Sequence, residues 1–157
     1  MRKAILATAL AGFLSLPPAL AAEFTAKVIG VSDGDTITVL HDKQPEKLRL
    51  AEIDCPEKKQ AFGTVAKQCT DRLVFGKTVE VHVTGHDRYG RSIAEVHLPN
   101  GDNLNRELVV QGLAWCYRKY SHNADLLALE AEAKSNNRGL WSAPDAIPPW
   151  EFRHPKK

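Results

Sequence analysis

Three cysteines are all the chain offers, and they form neither a C-x-x-C pair nor a cluster with histidine, so the ligand spacing of a zinc site is missing. The six histidines are scattered, and no nucleophile-elbow motif supports a Ser/His/Asp set, which argues against that chemistry. There is no internal repeat and no low-complexity block, which speaks against a repeat array or a disordered tract. Nor does any apolar run reach the roughly 18 to 20 residues that span a bilayer. What remains, at 157 residues, is room for one domain with a modest core.

The first 21 residues stand apart from that domain. Arg2-Lys3 is a short basic start, Ala4 to Leu16 is apolar, Pro17-Pro18 breaks the run, and Ala19-Leu-Ala21 fits a small-x-small cleavage pattern. Residues 1–21 therefore read as a secretory signal peptide, cut after Ala21 or Ala22, and residues 22–157 as a single exported domain, periplasmic or secreted, without a membrane anchor. Without Arg2 and Lys3, the 21 Lys plus Arg fall to 19, against 19 Asp plus Glu. A neutral mature chain has no general pull on polyanions, so any phosphate recognition must be local. An oxidising compartment would permit one disulfide among Cys55, Cys69 and Cys116, with the pairing open and one thiol left over.

Taken in order, Phe24 to Val31 is β-prone, Ser32-Asp-Gly34 is a turn, and Thr36 to Leu40 alternates, which predicts a hairpin. His41 to Lys47 reads as a polar loop and Leu48 to Ile53 as a third strand. Phe62, Ala66, Cys69 and Leu73 form one helical stripe within Gln60 to Phe75, with Gly76 as the stop. Thr78 to Val83 and Arg91 to Leu98 alternate again. Leu104, Leu108 and Val109 mark a helix capped by Asp102 or Asn103 and ended by Gly112. Leu126, Leu129, Glu130 and Ala133 mark another, begun at Asn123 or Asp125 and ended by Gly139. From about Leu140 the tail is rich in proline and tryptophan, whose rings would pin it to the body. The order β-β-β-α-β-β-α-α predicts an α+β fold, a five-stranded OB-fold barrel with three α-helices.

Acids and arginines gather on three turns. Asp33-Gly-Asp35 brings two carboxylates. Arg49-Leu-Ala-Glu-Ile-Asp-Cys-Pro-Glu57 carries an arginine on a strand and delivers Asp54 and Glu57 at its end, where Pro56 breaks the ladder. Asp87-Arg-Tyr-Gly-Arg91 adds two guanidiniums and a ring, suited to a phosphate and a stacked base or sugar. Oxygen-only ligands suit Ca²⁺ or Mg²⁺. Each acid alone is better explained as a solvated turn residue; the combination points to a site. Arg49 and Asp54 also carry a geometric condition. Side chains alternate on a strand, so these two share a site only if the strand bends or ends near Ile53.

In sequence, Val31-Ser-Asp-Gly-Asp-Thr36, Arg49 to Glu57, Asp87-Arg-Tyr-Gly-Arg-Ser92, Asn105-x-x-Leu-Val-x-Gln-Gly-Leu-Ala114 and Gly139-Leu-Trp141 resemble the successive motifs of the thermonuclease (staphylococcal nuclease-like) family. The resemblance implies Ca²⁺-dependent hydrolysis of DNA and RNA phosphodiesters, leaving 3′-phosphates. Asp35 and Asp54, with the backbone carbonyl of Cys55, would bind Ca²⁺. Arg49 and Arg91 would grip the scissile phosphate, and Glu57 would activate or orient the attacking water. Arg88 and Tyr89 would support a neighbouring nucleotide, with Tyr117 and Tyr120 both candidates for substrate contact. A monomer acting on DNA and RNA is expected. The alternative is a non-catalytic OB-fold module that binds single strands or a protein partner.

Overall fold

The computed structural model describes residues 22–155, so the signal-peptide segment lies outside the described residues. In chain order the elements are β1 (Ala22–Asp33), β2 (Thr36–His41), β3 (Gln44–Leu50), β4 (Ile53–Asp54), α1 (Gly63–Val74), β5 (Thr78–His86), β6 (Ser92–His97), α2 (Leu104–Val110), β7 (Trp115–Cys116), α3 (Ala124–Ser135), a 3-10 turn (Gly139–Ser142) and α4 (Pro149–Phe152). Among the described residues no helix is long and apolar enough to cross a membrane.

Period-two sequence closes the barrel. Its strands run β1-β2-β3-β6-β5, with β5 returning to pair with β1. All ladders are antiparallel except β3–β6, where Leu48–Leu50 run parallel to Ser92–Ala94. Alternate side chains (Val28, Ile37, Val39, Leu48, Leu50, Val79, Val81, Ala94 and Val96) fill the interior, each fully buried or nearly so. Among the described residues, closure leaves the barrel strands no long free edge. The expected OB-fold arrangement of barrel and helices is therefore present.

Local chemistry explains the departures from the expected elements. Residues 41–47 are not a loop: Asp42 and Lys43, at φ 46° and 63°, make a two-residue turn that carries the chain straight from β2 into β3. Pro45 is tolerated there because β3 meets its second neighbour, β6, only from Leu48 onward. Helix α1 covers only Gly63–Val74, because Phe62 sits in the left-handed region at its start. Helix α3 stops at Ser135, before Gly139, because Asn137 takes the left-handed conformation at φ 52°. Asn103 and Asn123 are the N-caps, accepting from the amides of Arg106 and of Asp125 and Leu126. The tail adds a fourth, four-residue helix, α4. Cys55, Cys69 and Cys116 are all buried and free, so the permitted disulfide is not formed; burial pushes their thiols up. Cys69 instead donates to Gln111 Oε1 at 3.1 Å.

Candidate active site

Asp35 occupies the two-residue turn between β1 and β2, where Asp33 pairs with Thr36. Gly34 beside it admits no side chain: a Cβ there would stand 2.8 Å from Ala66 Cβ and 2.9 Å from Cys55 Sγ. The hydroxyl of Thr70 donates to Gly34 O at 2.6 Å, tying the turn to α1. Asp35 Oδ2 then accepts the Cys55 amide at 2.7 Å, and Oδ1 accepts the Thr36 hydroxyl at 3.2 Å. The first acid is thus held against the segment that carries the second.

That segment satisfies the condition set by strand alternation. β3 ends at Leu50, Ala51 and Glu52 turn with Glu52 at φ 64°, and β4 begins at Ile53. Across the break Arg49 folds back: Nη1 donates to Leu50 O at 2.7 Å and Ile53 O at 2.8 Å. Nη2 donates to Asp54 Oδ1 at 2.8 Å and lies 3.2 Å from Asp35 Oδ2. Two outside groups keep the break in shape. The buried amide of Asn105 donates to Ala51 O at 3.0 Å and Ala94 O at 3.1 Å, while its oxygen accepts the Val96 amide. β4 pairs with β7, setting Asp54 opposite Trp115. Asn105 was visible in the sequence only as part of a motif; its role as a staple becomes apparent in the fold.

Glu57 follows Pro56 on a turn of its own, in which Gln60 N donates to Glu57 O at 2.8 Å and Gln60 Oε1 accepts the Glu57 amide at 3.1 Å. Gly63 crosses this turn so closely that a Cβ on it would meet Glu57 O at 1.9 Å. The start of α1 therefore fixes where the Glu57 backbone runs.

Asp35 and Asp54 are 6% and 1% exposed, so burial withdraws both carboxylates from bulk solvent. Burial pushes the Asp54 carboxyl above its usual range, against the opposing pull of Arg153 and Arg49. Desolvation works against the charge on Arg49, yet Asp35 and Asp54 hold its pKa up. The second guanidinium, Arg153, is the residue sequence reasoning missed. It comes from the tail just after α4, with Nη2 on Asp54 Oδ2 at 2.7 Å, Nη1 on Glu57 Oε1 at 2.7 Å, and Nη1 also 3.3 Å from Asp54 Oδ1. Glu57, Arg153, Asp33, Lys58, Lys59 and Phe152 line an open cleft of about 340 Å³ beside it.

Asp35, Arg49, Asp54, Cys55 and Glu57 thus come together, and the other predicted residues lie outside their hydrogen-bond network. Arg91 immediately precedes β6, two residues before Ile93, the partner of Arg49, but its Nε is bonded to Asp87 Oδ2 at 2.6 Å. Arg88 donates to the hydroxyl of the exposed Tyr89 at 2.6 Å, with its guanidinium 4.8 Å from the ring centre. Tyr117 stacks on Trp150 at 5.2 Å, whereas Tyr120 meets Tyr117 edge-on and is 65% exposed. On the β1–β5 ladder, Glu23, Glu80 and His82 also gather, but both His82 ring nitrogens already face carboxylates, at 3.2 and 2.8 Å.

The donor set of the Asp35–Asp54 cluster is oxygen-only and carries more carboxylates than arginines, which fits a hard cation such as Ca²⁺ and not a soft metal. The family model described as staphylococcal nuclease homologue matches residues 47–143. An "Uncharacterized endonuclease" of Escherichia coli O157:H7 is 43% identical over 139 residues, 88% of this chain and 91% of the relative. "Protein ParB" of Escherichia coli is 44% identical over 157 aligned residues, 94% of this chain and 88% of the relative. A "Micrococcal nuclease" of Shigella flexneri is 40% identical over 146 residues, 87% of this chain and 84% of the relative. On the family match and on relatives aligned along most of their length, the chain belongs to the staphylococcal nuclease homologue family.

Proposed function

We propose that the protein is an exported, Ca²⁺-dependent nuclease that hydrolyses phosphodiester bonds of DNA and RNA and leaves 3′-phosphate ends. The observation that carries this reading is the meeting of Arg49 with Asp35 and Asp54 across the β3–β4 break, with Glu57 one turn away. A binding module has no need of buried acids, a buried arginine and a further carboxylate in one cluster.

In this reading Asp35 and Asp54, with the carbonyl of Cys55, hold the cation. When bound, Ca²⁺ polarises a phosphoryl oxygen of the substrate. Arg49, anchored by two backbone carbonyls as well as two carboxylates, donates to the phosphate with no loss of position. Arg91 joins it by exchanging Asp87 for a phosphate oxygen. The Glu57 carboxylate takes a proton from the attacking water, or orients that water for attack. Arg88 and Tyr89 support a neighbouring phosphate and sugar, and the exposed Tyr120 offers a ring for a base, with Tyr117 beneath it. The protein acts as a monomer, free of the membrane once residues 1–21 are removed. The test is degradation of DNA and of RNA by the purified mature protein with millimolar Ca²⁺, with Mg²⁺ or with chelator, followed by analysis of the product ends. Digestion with Ca²⁺ alone and 3′-phosphate products are expected; an inert protein, or equal activity in chelator, would overturn the reading.

A further inference from the structure

Arg153 reaches the site from 99 residues beyond Asp54, and the tail that brings it is anchored elsewhere. Trp150 stacks on Tyr117 at 5.2 Å and meets Trp115 edge-on at 5.8 Å. Pro149 is buried, and the side-chain amide of Gln60 donates to Ile147 O. Beyond these anchors, among the described residues of the tail, Arg153 alone touches the carboxylates, through a fork spread over both oxygens of Asp54 and one of Glu57. Arg49 belongs to barrel strand β3, and its side chain is only 14% exposed. Arg153 is different: its side chain keeps 34% exposure, and it hangs from a four-residue helix.

We infer that the tail from residue 143 is an autoinhibitory strap, whose Arg153 guanidinium stands in for the divalent cation and must be displaced from Asp54 and Glu57 before the site is loaded. The inference rests on the reading that Asp35 and Asp54 hold a cation. Three carboxylates against Arg49 leave two negative charges uncompensated; a divalent ion would cancel both and Arg153 cancels one, while the two together at the Asp54 carboxylate would crowd like charges. Arg153 also holds Glu57 in an ion pair through Oε1, which withholds that oxygen from a water. Tail docking and cation binding therefore oppose each other, and by linkage each weakens the other by the same factor. The aromatic anchors make release reversible, since Trp150 keeps the tail near when Arg153 lets go.

The experiment is a calorimetric titration of Ca²⁺ into the full mature chain, R153Q, R153K and D54N, without nucleic acid, with tryptophan fluorescence recorded alongside. R153Q binds Ca²⁺ about tenfold more tightly than the parent, within the ordinary range of coupling between two ligands. R153K, which keeps the charge and loses the fork, falls between. Tryptophan emission stays the same in parent and R153Q, with and without Ca²⁺, because Trp150 remains on Tyr117 when Arg153 lets go; a large change in emission would show that the anchors leave with Arg153 and would contradict a hinged strap. Binding that depends on Asp54 but is equal or weaker in R153Q overturns the strap and leaves the cation site standing. No binding by either parent or R153Q, or binding that D54N leaves unchanged, overturns the cation reading and the strap with it.

Discussion

Arg49 Nη2 and Asp54 Oδ1 lie 2.8 Å apart although five positions separate them in the chain, a spacing that would put them on opposite faces of a continuous strand. The contact exists because β3 stops at Leu50 and Glu52 turns the chain through the left-handed region. Arg49 itself helps hold that turn by capping the carbonyls of Leu50 and Ile53. One side chain thus shapes the break and is placed by it.

Replacing Arg49 with lysine keeps the charge but loses the fork that spans two carbonyls and two carboxylates. R49K is expected to lose about a hundredfold or more in nuclease rate, the usual cost of removing a donor to transition-state charge. Steady-state kinetics checks this, with urea denaturation to establish that the variant folds. An R49K enzyme within a few-fold of the parent would mean that the guanidinium geometry is not used.

Gly63 tests whether the start of α1 places Glu57. Alanine is ordinarily favoured over glycine in a helix by up to about 1 kcal/mol. Here its Cβ would collide with Glu57 O at 1.9 Å, so the turn must move. G63A is expected to lower kcat by about a hundredfold, in keeping with the cost of an ångström of misplacement, and also to lower the melting temperature. Turnover and a thermal melt of the same preparation decide it; a more stable, fully active G63A would contradict the placement.

Glu130 gives a pH dependence. Burial alone would push its carboxyl up, but the hydrogen bond from Arg118, with those from Lys134 (3.1 Å) and the Cys116 amide (3.0 Å), holds it below the usual range. A depressed folded value means the contribution is complete above the unfolded glutamate value, about 4.3, and is lost as pH falls through the lower folded value. E130Q is expected to cost about 3 kcal/mol near pH 7, as breaking a buried pair does, with the gap to the parent shrinking below about pH 4. Denaturant titrations at both pH values measure that gap. A gap that does not change with pH would show that the ion pair is not what Glu130 supplies.

Much of this architecture was legible because it rests on short-range patterns. Alternating Val79, Val81 and Val83, the asparagine caps, and Pro56 after Asp54 each act within a few residues of themselves. The Arg49–Asp54 meeting was legible as a condition, since the parity of a strand is fixed. The start of β3 was hidden because Gln44 to Lys47 are polar and include Pro45, and what makes them a strand is the ladder to β2. Arg153 was hidden for a different reason: a lone basic residue in an aperiodic tail gives no sign of a partner 99 residues away. The pairing of Arg91 with Asp87 was equally silent, because a turn motif names the residues and not which acid the arginine takes.

The most direct measurement of the central claim is the comparison of parent and Glu57→Gln protein for single-turnover cleavage and for nucleotide affinity under the same Ca²⁺ concentration. A hydrolytic site centred on Asp35, Arg49, Asp54 and Glu57 predicts that E57Q loses about two to four orders of magnitude in cleavage while its affinity stays within a few-fold. Cleavage by E57Q at the parent's rate, or a loss of affinity that accounts for all of the lost rate, would contradict it.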